Sequence, residues 1–410
     1  MPEFLKLLPP KDALDQFLAE IKFSPAPEKI PVEEALGRIL AEPVTAPYPL
    51  PSFPRSTVDG FAVRAADSHG ASPSLPLYLN LVGEVPMGAA PQFEISKIEC
   101  ALIHTGGMLP EGADAVVMVE DTQQARDTEI EILKAVADGE NVLQVGEDVQ
   151  TGDEVIPAGK QLHPAEIGGL MALGITEVAV SRKPLVGIIS SGDEVIPPHE
   201  AITPGQVRDV NSYTLSALIE QNGGSVMRYG IVADSLEHMT EIVTQAHKEC
   251  DLVVITAGSS ASARDLTAQV LDALGEPGVL VHGVNVRPGK PTILAVCDGV
   301  PMIGLPGNPV SALVIAGLFV VPVVSGLLGK TKREVKPAVT ARLQINLSSQ
   351  AGREDWVAVA LKKTEDGYSA EPIFGKSNLI FTLAKADGLV RIPAPANGLE
   401  AGELVSVQLF

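Results

Sequence analysis

Between residues 184 and 328, short runs that are apolar throughout alternate with stretches of helical periodicity, and this alternation limits the fold more than any other feature of the chain. Residues 184–189, 251–256, 292–296 and 302–305 read as strands, 211–221 and 266–274 as helices, and 310–328 as one long apolar helix. A strand that is apolar at every position must be covered on both faces, which a doubly wound, mostly parallel α/β sheet achieves. In such a sheet ligands sit beyond the carboxyl ends of the strands, where loops and helix N-termini turn backbone N–H groups outward.

On either side the pattern changes. Residues 11–41 carry two stripes at helical spacing, Leu14, Phe17, Leu18 and Ile21, then Val32, Ala35, Leu36 and Ile39, so two helices are expected to open the chain. A proline-rich stretch over 43–54 precedes short alternating runs between 58 and 136, including 77–82 and 115–119, which read as a small β domain. Residues 139–180 are turn-rich, with one helix over 164–173 begun by a proline, and 335–410 returns to short alternating runs such as 388–392 and 404–409. The expected division is an N-terminal linker domain from 1–50 and 140–180, an inserted β domain over 51–139, the α/β domain over 181–329 and a C-terminal β-barrel domain over 330–410.

A net charge of −21 argues against nucleic acid or an anionic membrane as partner, because both need a broad basic face. Cys100, Cys250 and Cys297 form no Cys-x-x-Cys pair and the histidines never fall at metal-ligand spacing, so neither a zinc site nor a disulfide framework is expected. The first eight residues are too short and too charged for a secretory h-region, and apolar stretches are expected to stop short of the ~18 uninterrupted residues of a membrane span. The chain therefore reads as soluble and cytoplasmic.

Three loops at the carboxyl edge of the expected sheet are rich in small polar residues: Ser190-Ser191-Gly192-Asp193-Glu194, the stretch from Thr256 through Gly258, Ser259 and Ser260 to Asp265, and Gly304-Leu305-Pro306-Gly307-Asn308-Pro309. Small side chains let the main chain approach an oxyanion closely, and hydroxyls add donors without bulk. Arg287-Pro288-Gly289-Lys290-Pro291 supplies local positive charge, arginine as a fork and lysine as a point charge. Asp193, Glu194, Asp234 and Asp265 could hold Mg²⁺ between protein and phosphate oxygens, although each could equally cap or pair within a helix, and Asp265 before Leu266 reads as an N-cap. Asp59-Gly60 reads as a turn before a strand, for which hairpin geometry suffices, and Asn308-Pro309 as N-cap and first residue of the long helix.

Taken together, residues 54–63, the run Thr105-Gly106-Gly107-Met108-Leu109-Pro110-Glu111-Gly112-Ala113-Asp114-Ala115-Val116-Val117, Gly146-Glu147-Asp148 and the four loops above, the one from Gly304 extended to Ala312, resemble the molybdopterin molybdenumtransferases, the MoeA family of bacteria and gephyrin E-domain family of animals. The resemblance spans nearly the whole chain. It implies a four-domain homodimer, with the site between the α/β domain of one subunit and the inserted domain of the other. The implied reaction is Mg²⁺-dependent: molybdate enters the dithiolene of adenylylated molybdopterin, the pyrophosphate bond is hydrolysed and AMP leaves.

By the same resemblance, Asp59, Asp148, Glu194, Asp265 and Lys290 are expected to be catalytic, and Asp234, Asp265 and Glu194 to hold the metal. Thr105, Ser191, Gly192, Asp193, Gly258, Ser259, Ser260, Arg287, Pro306, Gly307 and Asn308 are expected to bind substrate, joined at the molybdate end by Arg353 and Ser377. The adenylyltransferase that makes the substrate and molybdoenzyme apoproteins are implied partners. Leu143 and Ala358 stand where the family commonly carries arginine, and Ala257 and Ser262 where it commonly carries glycine. The alternatives are a molybdopterin adenylyltransferase, which generally lacks the flanking β domains, and a non-catalytic molybdopterin-binding scaffold.

Overall fold

The computed structural model describes residues 7–257, 261–331 and 337–410, of which 261–265 by backbone alone. The chain divides into two compact units, one of Met1–Glu42, Ala158–His163 and Glu177–Phe410, the other of Pro43–Pro157 and Pro164–Thr176.

In the first unit a six-stranded sheet runs in the order Ser225–Val232, Leu185–Ser191, Leu252–Ala257, Val300–Pro306, Ile293–Cys297, Pro277–His282. The first four strands are parallel, and Ile293–Cys297 runs antiparallel to both its neighbours, Val300–Pro306 and Pro277–His282. Side chains alternate between two apolar layers, as a period of two requires. Val186, Ile188, Leu252, Val254, Ile303 and Leu305 pack with Leu215, Ile219 and Phe319. Ile189, Val253, Ile255 and Met302 pack with Met239, Val243 and Leu271. Helices thus cover both faces, as expected.

The long apolar helix is not one continuous α-helix. It runs as α-helix over Pro309–Ile315, widens to a π-turn over Ala316–Val320 and resumes as α-helix over Val321–Leu327. Pro322 lacks an N–H and its ring crowds the carbonyl one turn back, and a π-turn directly before it accommodates both. The expectation that no apolar stretch reaches membrane-spanning length does not hold here, since Pro309–Leu327 is 19 residues long and apolar enough by composition. Ala312, Ile315, Phe319, Val320, Val323 and Val324 are nevertheless buried in the α/β core.

The opening of the chain also departs from expectation. Pro10–Ala19 is a helix that buries Ala13 and Phe17 against the sheet. The second stripe is not a helix: after a strand, Pro27–Pro31, paired antiparallel with Glu177–Ser181, it begins in a 3₁₀ turn at Val32–Glu34 and continues without helix. Val32, Ala35 and Ile39 are buried and Leu36 is exposed, so helical spacing arises there from a short turn leading into extended chain.

Strands Glu354–Thr364, Gly367–Pro372, Ala338–Leu343, Leu404–Leu409 and Gly388–Ile392 close into a five-stranded barrel, because the first and last also pair. Val286–Arg287 adds beside Glu354 and Asp355 in parallel, joining the basic turn to the barrel. The second unit holds a six-stranded sheet in the order Ala115–Met118, Gly60–Val63, Glu99–Ile103, Leu77–Glu84, Glu129–Ile132, Thr122–Arg126, with an apolar layer on each face. Its helix, Pro164–Ala172, falls where proline placed it. Cys100, Cys250 and Cys297 are buried and unpaired, and burial pushes the Cys100 thiol up to about 12 and Cys297 up to about 11, so neither is a ready nucleophile.

Candidate active site

Two loops at the carboxyl edge of the α/β sheet place carboxylates side by side. Ser191, buried at the end of its strand, leads into Gly192, Asp193 and Glu194, and Asp193 Oδ1 accepts the Asp234 N–H at 3.2 Å. Partial desolvation, then repulsion by Asp193 and Glu194, raises the Asp234 carboxyl above its ordinary value, offset in part by the Ser191 hydroxyl. Crowded carboxylates of this kind suit a hard cation. Among the described residues no three His, Cys, Asp or Glu groups stand together as a complete metal site.

A carboxyl raised in the fold penalises the folded state above its folded pKa and ceases to do so as pH falls through that value toward its unfolded one. Asp234→Asn is therefore expected to raise the melting temperature at neutral pH, by about 1–2 °C after discounting for solvent screening. The gain should shrink on acidification. A gain equally large at about pH 4, where ordinary carboxyls are half protonated, would contradict this origin.

Beneath this edge lies a buried polar chain. Asp209, 8% exposed, accepts Ser190 Oγ at 3.0 Å, Ser212 Oγ at 2.5 Å and the Ser212 N–H at 3.1 Å, while Thr256 Oγ1 donates to Ser190 Oγ at 3.4 Å. Asn211 Nδ2 donates to the Gly307 carbonyl at 2.8 Å. Sequence reasoning named Ser190, Thr256 and Gly307 within its loops but missed Asp209, Asn211 and Ser212 as site residues; the signal available was an acid three residues before a helical serine, a capping pattern. Gly258, Ser259 and Ser260 lie outside the described residues, as does the Asp265 side chain. The helix after them begins at Ala261, so Asp265 lies within it and is not its N-cap.

The basic turn is anchored by its backbone. Lys290 O accepts the Val284 and Thr292 N–H groups at 2.9 and 3.0 Å, and Thr292 Oγ1 donates to Gly289 O at 2.6 Å. Gly289 has φ +111° and packs so tightly that a Cβ would meet Ile315 Cγ1 at 2.2 Å. Lys290 is exposed and, among the described residues, faces no carboxylate. Arg287 lies 3.8 Å from Asp355, which also holds Arg353 through two bonds of 2.7 and 3.0 Å. The two candidate arginines thus share one buried carboxylate. Asp355→Ala is expected to lower stability by about 2 kcal/mol, measured by denaturant titration, because Arg353 loses a two-bonded partner; a change below about 0.5 kcal/mol would show the pair to be idle.

Asn308 occupies the N-cap position, as expected, but its side chain makes no capping bond. Its Nδ2 donates to Ser377 Oγ at 3.0 Å, and the Val310 N–H donates to Ser377 O at 3.0 Å, so the barrel segment carrying Ser377 sits on the Pro306-Gly307-Asn308 loop.

In the second unit Asp59 Oδ1 accepts the Thr105 N–H at 2.8 Å and lies 3.5 Å from His104 Nδ1, whose Nε2 is 3.2 Å from Glu84. The Thr105 N–H, followed by the His104 imidazole, holds the Asp59 carboxyl below its ordinary value. Hairpin geometry does not explain Asp59-Gly60: Arg55–Ser56 pairs with Val142–Leu143, whereas Gly60–Val63 pairs with Ala115–Met118 and Glu99–Ile103. Asp148 is exposed, with its N–H donated to Leu50 O at 3.0 Å.

Three family profiles match in order: "MoeA N-terminal region (domain I and II)" over residues 8–174, "probable molybdopterin binding domain" over 187–326 and "MoeA C-terminal region (domain IV)" over 340–410. A molybdopterin molybdenumtransferase of Nostoc is 35% identical over 91% of this chain and 86% of its own, and one of Haemophilus influenzae is 31% identical over 97% of each. The chain belongs to the MoeA family. The crystal structure of a MoeA molybdopterin biosynthesis protein from Pyrococcus horikoshii superposes with a TM-score of 0.86 at 32% identity, covering 99% of this chain and 100% of that one. The MoeA match extends through both β regions that flank the α/β sheet, which does not favour a free-standing adenylyltransferase.

Proposed function

We propose that this chain is a molybdopterin molybdenumtransferase: it inserts molybdate into the dithiolene of adenylylated molybdopterin, with hydrolysis of the pyrophosphate bond and release of AMP. The reading rests chiefly on near-full-length identity to relatives bearing that name. The local chemistry supports it. Molybdate and phosphate are both tetrahedral oxyanions, and Arg287 and Lys290 present cations on an anchored turn in an otherwise acidic chain. Asn308 and Ser377 are bonded to each other where the loop meets the barrel, and Arg353 shares Asp355 with Arg287 of the turn; these residues would bind the molybdate end.

Glu194 and Asp234, beside Asp193, would hold Mg²⁺, with Asp265 as a further ligand, and the contact of Asp193 Oδ1 with the Asp234 N–H, which brings the two acidic loops together, is the observation favouring a cation there. When bound, the ion supplies charge neutralisation to pyrophosphate oxygens. Ser191, Gly192, Pro306 and Gly307, with Gly258, Ser259 and Ser260, would line the substrate, and Asp59, Asp148 and Thr105 would complete the catalytic set. We further propose a cytoplasmic homodimer of four-domain subunits divided at about residues 50, 140, 180 and 330.

The deciding assay is AMP release and molybdenum cofactor formation from adenylylated molybdopterin with molybdate and Mg²⁺. Turnover is expected to fall by more than about tenfold with a chelator and to return with Mg²⁺. Tight binding without turnover would favour the scaffold reading instead.

A further inference from the structure

Asn211 opens the helix Asn211–Gln221 and is 8% exposed. Its Nδ2 donates to Gly307 O at 2.8 Å, and because a carbonyl can only accept, that contact fixes which end of the amide faces Gly307. Oδ1 is left as an acceptor, buried and without a hydrogen-bond partner. Folded proteins leave few such atoms unpaired, so each one asks what supplies the missing donor.

Three donors close to it in chain or contact are committed, Ser190 Oγ and Ser212 Oγ to Asp209 and Thr214 Oγ1 to the Asn211 carbonyl, while the Ser191 hydroxyl, next to Ser190, is itself buried without a partner and so makes no bond to Asn211. The amide lies at the carboxyl edge of the sheet, tied through Gly307 to the loop after Val300–Pro306. Two residues earlier, Asp209 is tied to Ser190 on Leu185–Ser191. Those two strands flank Leu252–Ala257, so the orphaned acceptor stands between two of the loops read as the substrate cradle, the one that follows Leu185–Ser191 and the one that carries Gly307. With Asp209 close by in the chain, an anion does not suit it; an N–H or O–H group does.

We propose that Asn211 is a specificity-determining residue whose Oδ1 accepts a hydrogen bond from a donor group on the bound substrate. The inference rests on the function proposed above. Both halves of adenylylated molybdopterin carry donors: the amine and ribose hydroxyls of the adenylate, and the N–H groups of the pterin.

The test is calorimetric titration of the full chain, wild type and Asn211→Ala, with AMP, its 2′-deoxy and 3′-deoxy analogues, purine riboside monophosphate and molybdopterin. Asn211→Ser is run alongside in case alanine loosens the Gly307 loop. The variants are expected to bind one half about tenfold more weakly while the other half keeps its affinity. If that half is the adenylate, the wild type should reject the analogue lacking the critical donor by a similar factor and the variants should not. If it is the pterin, only molybdopterin binding should change. Unchanged affinity for both halves would assign the donor to a buried water and overturn the inference, as would uniform weakening accompanied by a fall in melting temperature. Failure of the wild type to bind either half would instead refute the proposed function, and the inference with it.

Discussion

Lys290→Ala is expected to lower kcat/KM for molybdenum cofactor formation by about 10²–10³-fold while leaving the melting temperature within about 2 °C of wild type. The two halves of this expectation have separate causes. The Lys290 backbone carbonyl ties the turn to Val284 and Thr292, and Gly289 is wedged against Ile315; neither contact involves the lysine side chain, which is exposed. Alanine therefore leaves the turn in place. What it removes is a cation with no carboxylate partner among the described residues, in a chain of net charge −21. An oxyanion held by Arg287 alone would share that guanidinium with Asp355, 3.8 Å away. Lys290→Arg keeps the charge and should recover part of the loss, though a fork does not reproduce a point charge. Activity within about threefold of wild type, or a collapse in thermal stability, would remove Lys290 from the catalytic set.

Elements whose apolar pattern is set by one local period were legible in the sequence, and those set by tertiary context were not. The helix Asn211–Gln221 and the strands Gly388–Ile392 and Leu404–Leu409 lie where periodicity alone put them. The second opening helix failed because a 3₁₀ turn followed by extended chain can bury the same residues as a helical stripe. Leu236–Glu249 went unread although Ser235 caps it, because only Met239, Val243 and Ala246 of its residues are buried.

The site shows the same division. Short polar loops after apolar strands pointed to Ser191, Gly192, Asp193, Glu194, Gly307 and Asn308, since loop position follows from strand order. Asp209 and Asn211 could not be found that way: a polar side chain before a helix reads as a surface cap, and only the fold buries it. The shared use of Asp355 by Arg287 and Arg353 likewise depends on a long-range strand pairing, Arg287 with Asp355 and Val286 with Glu354.

Gly60→Ala is expected to destabilise the second unit severely. A Cβ there would stand 1.9 Å from the Val117 carbonyl oxygen and 3.1 Å from Met118 Cα, both backbone atoms. Gly60 is paired with Met118 on one side and Ile103 on the other, so its strand cannot retreat from one neighbour without breaking the ladder to the other. The overlap must be relieved by parting strands, with an expected loss of about 3–5 kcal/mol in the stability of that unit. Gly83→Ala is the control, because its Cβ would meet only the Phe93 ring edge at 3.2 Å, a side chain free to shift. It should cost less than about 1 kcal/mol. Since a chain of two units need not unfold in one step, hydrogen exchange at the Phe61 and Ala62 amides is the appropriate measure. Protection there should collapse in Gly60→Ala and persist in Gly83→Ala. Asp59 is the adjacent residue, so parting these strands also releases its bond to Thr105, and activity should fall with the protection. Equal protection in the two variants would mean that the neighbouring strand yields at little cost and that the close approach at Gly60 is not what holds Asp59 in place.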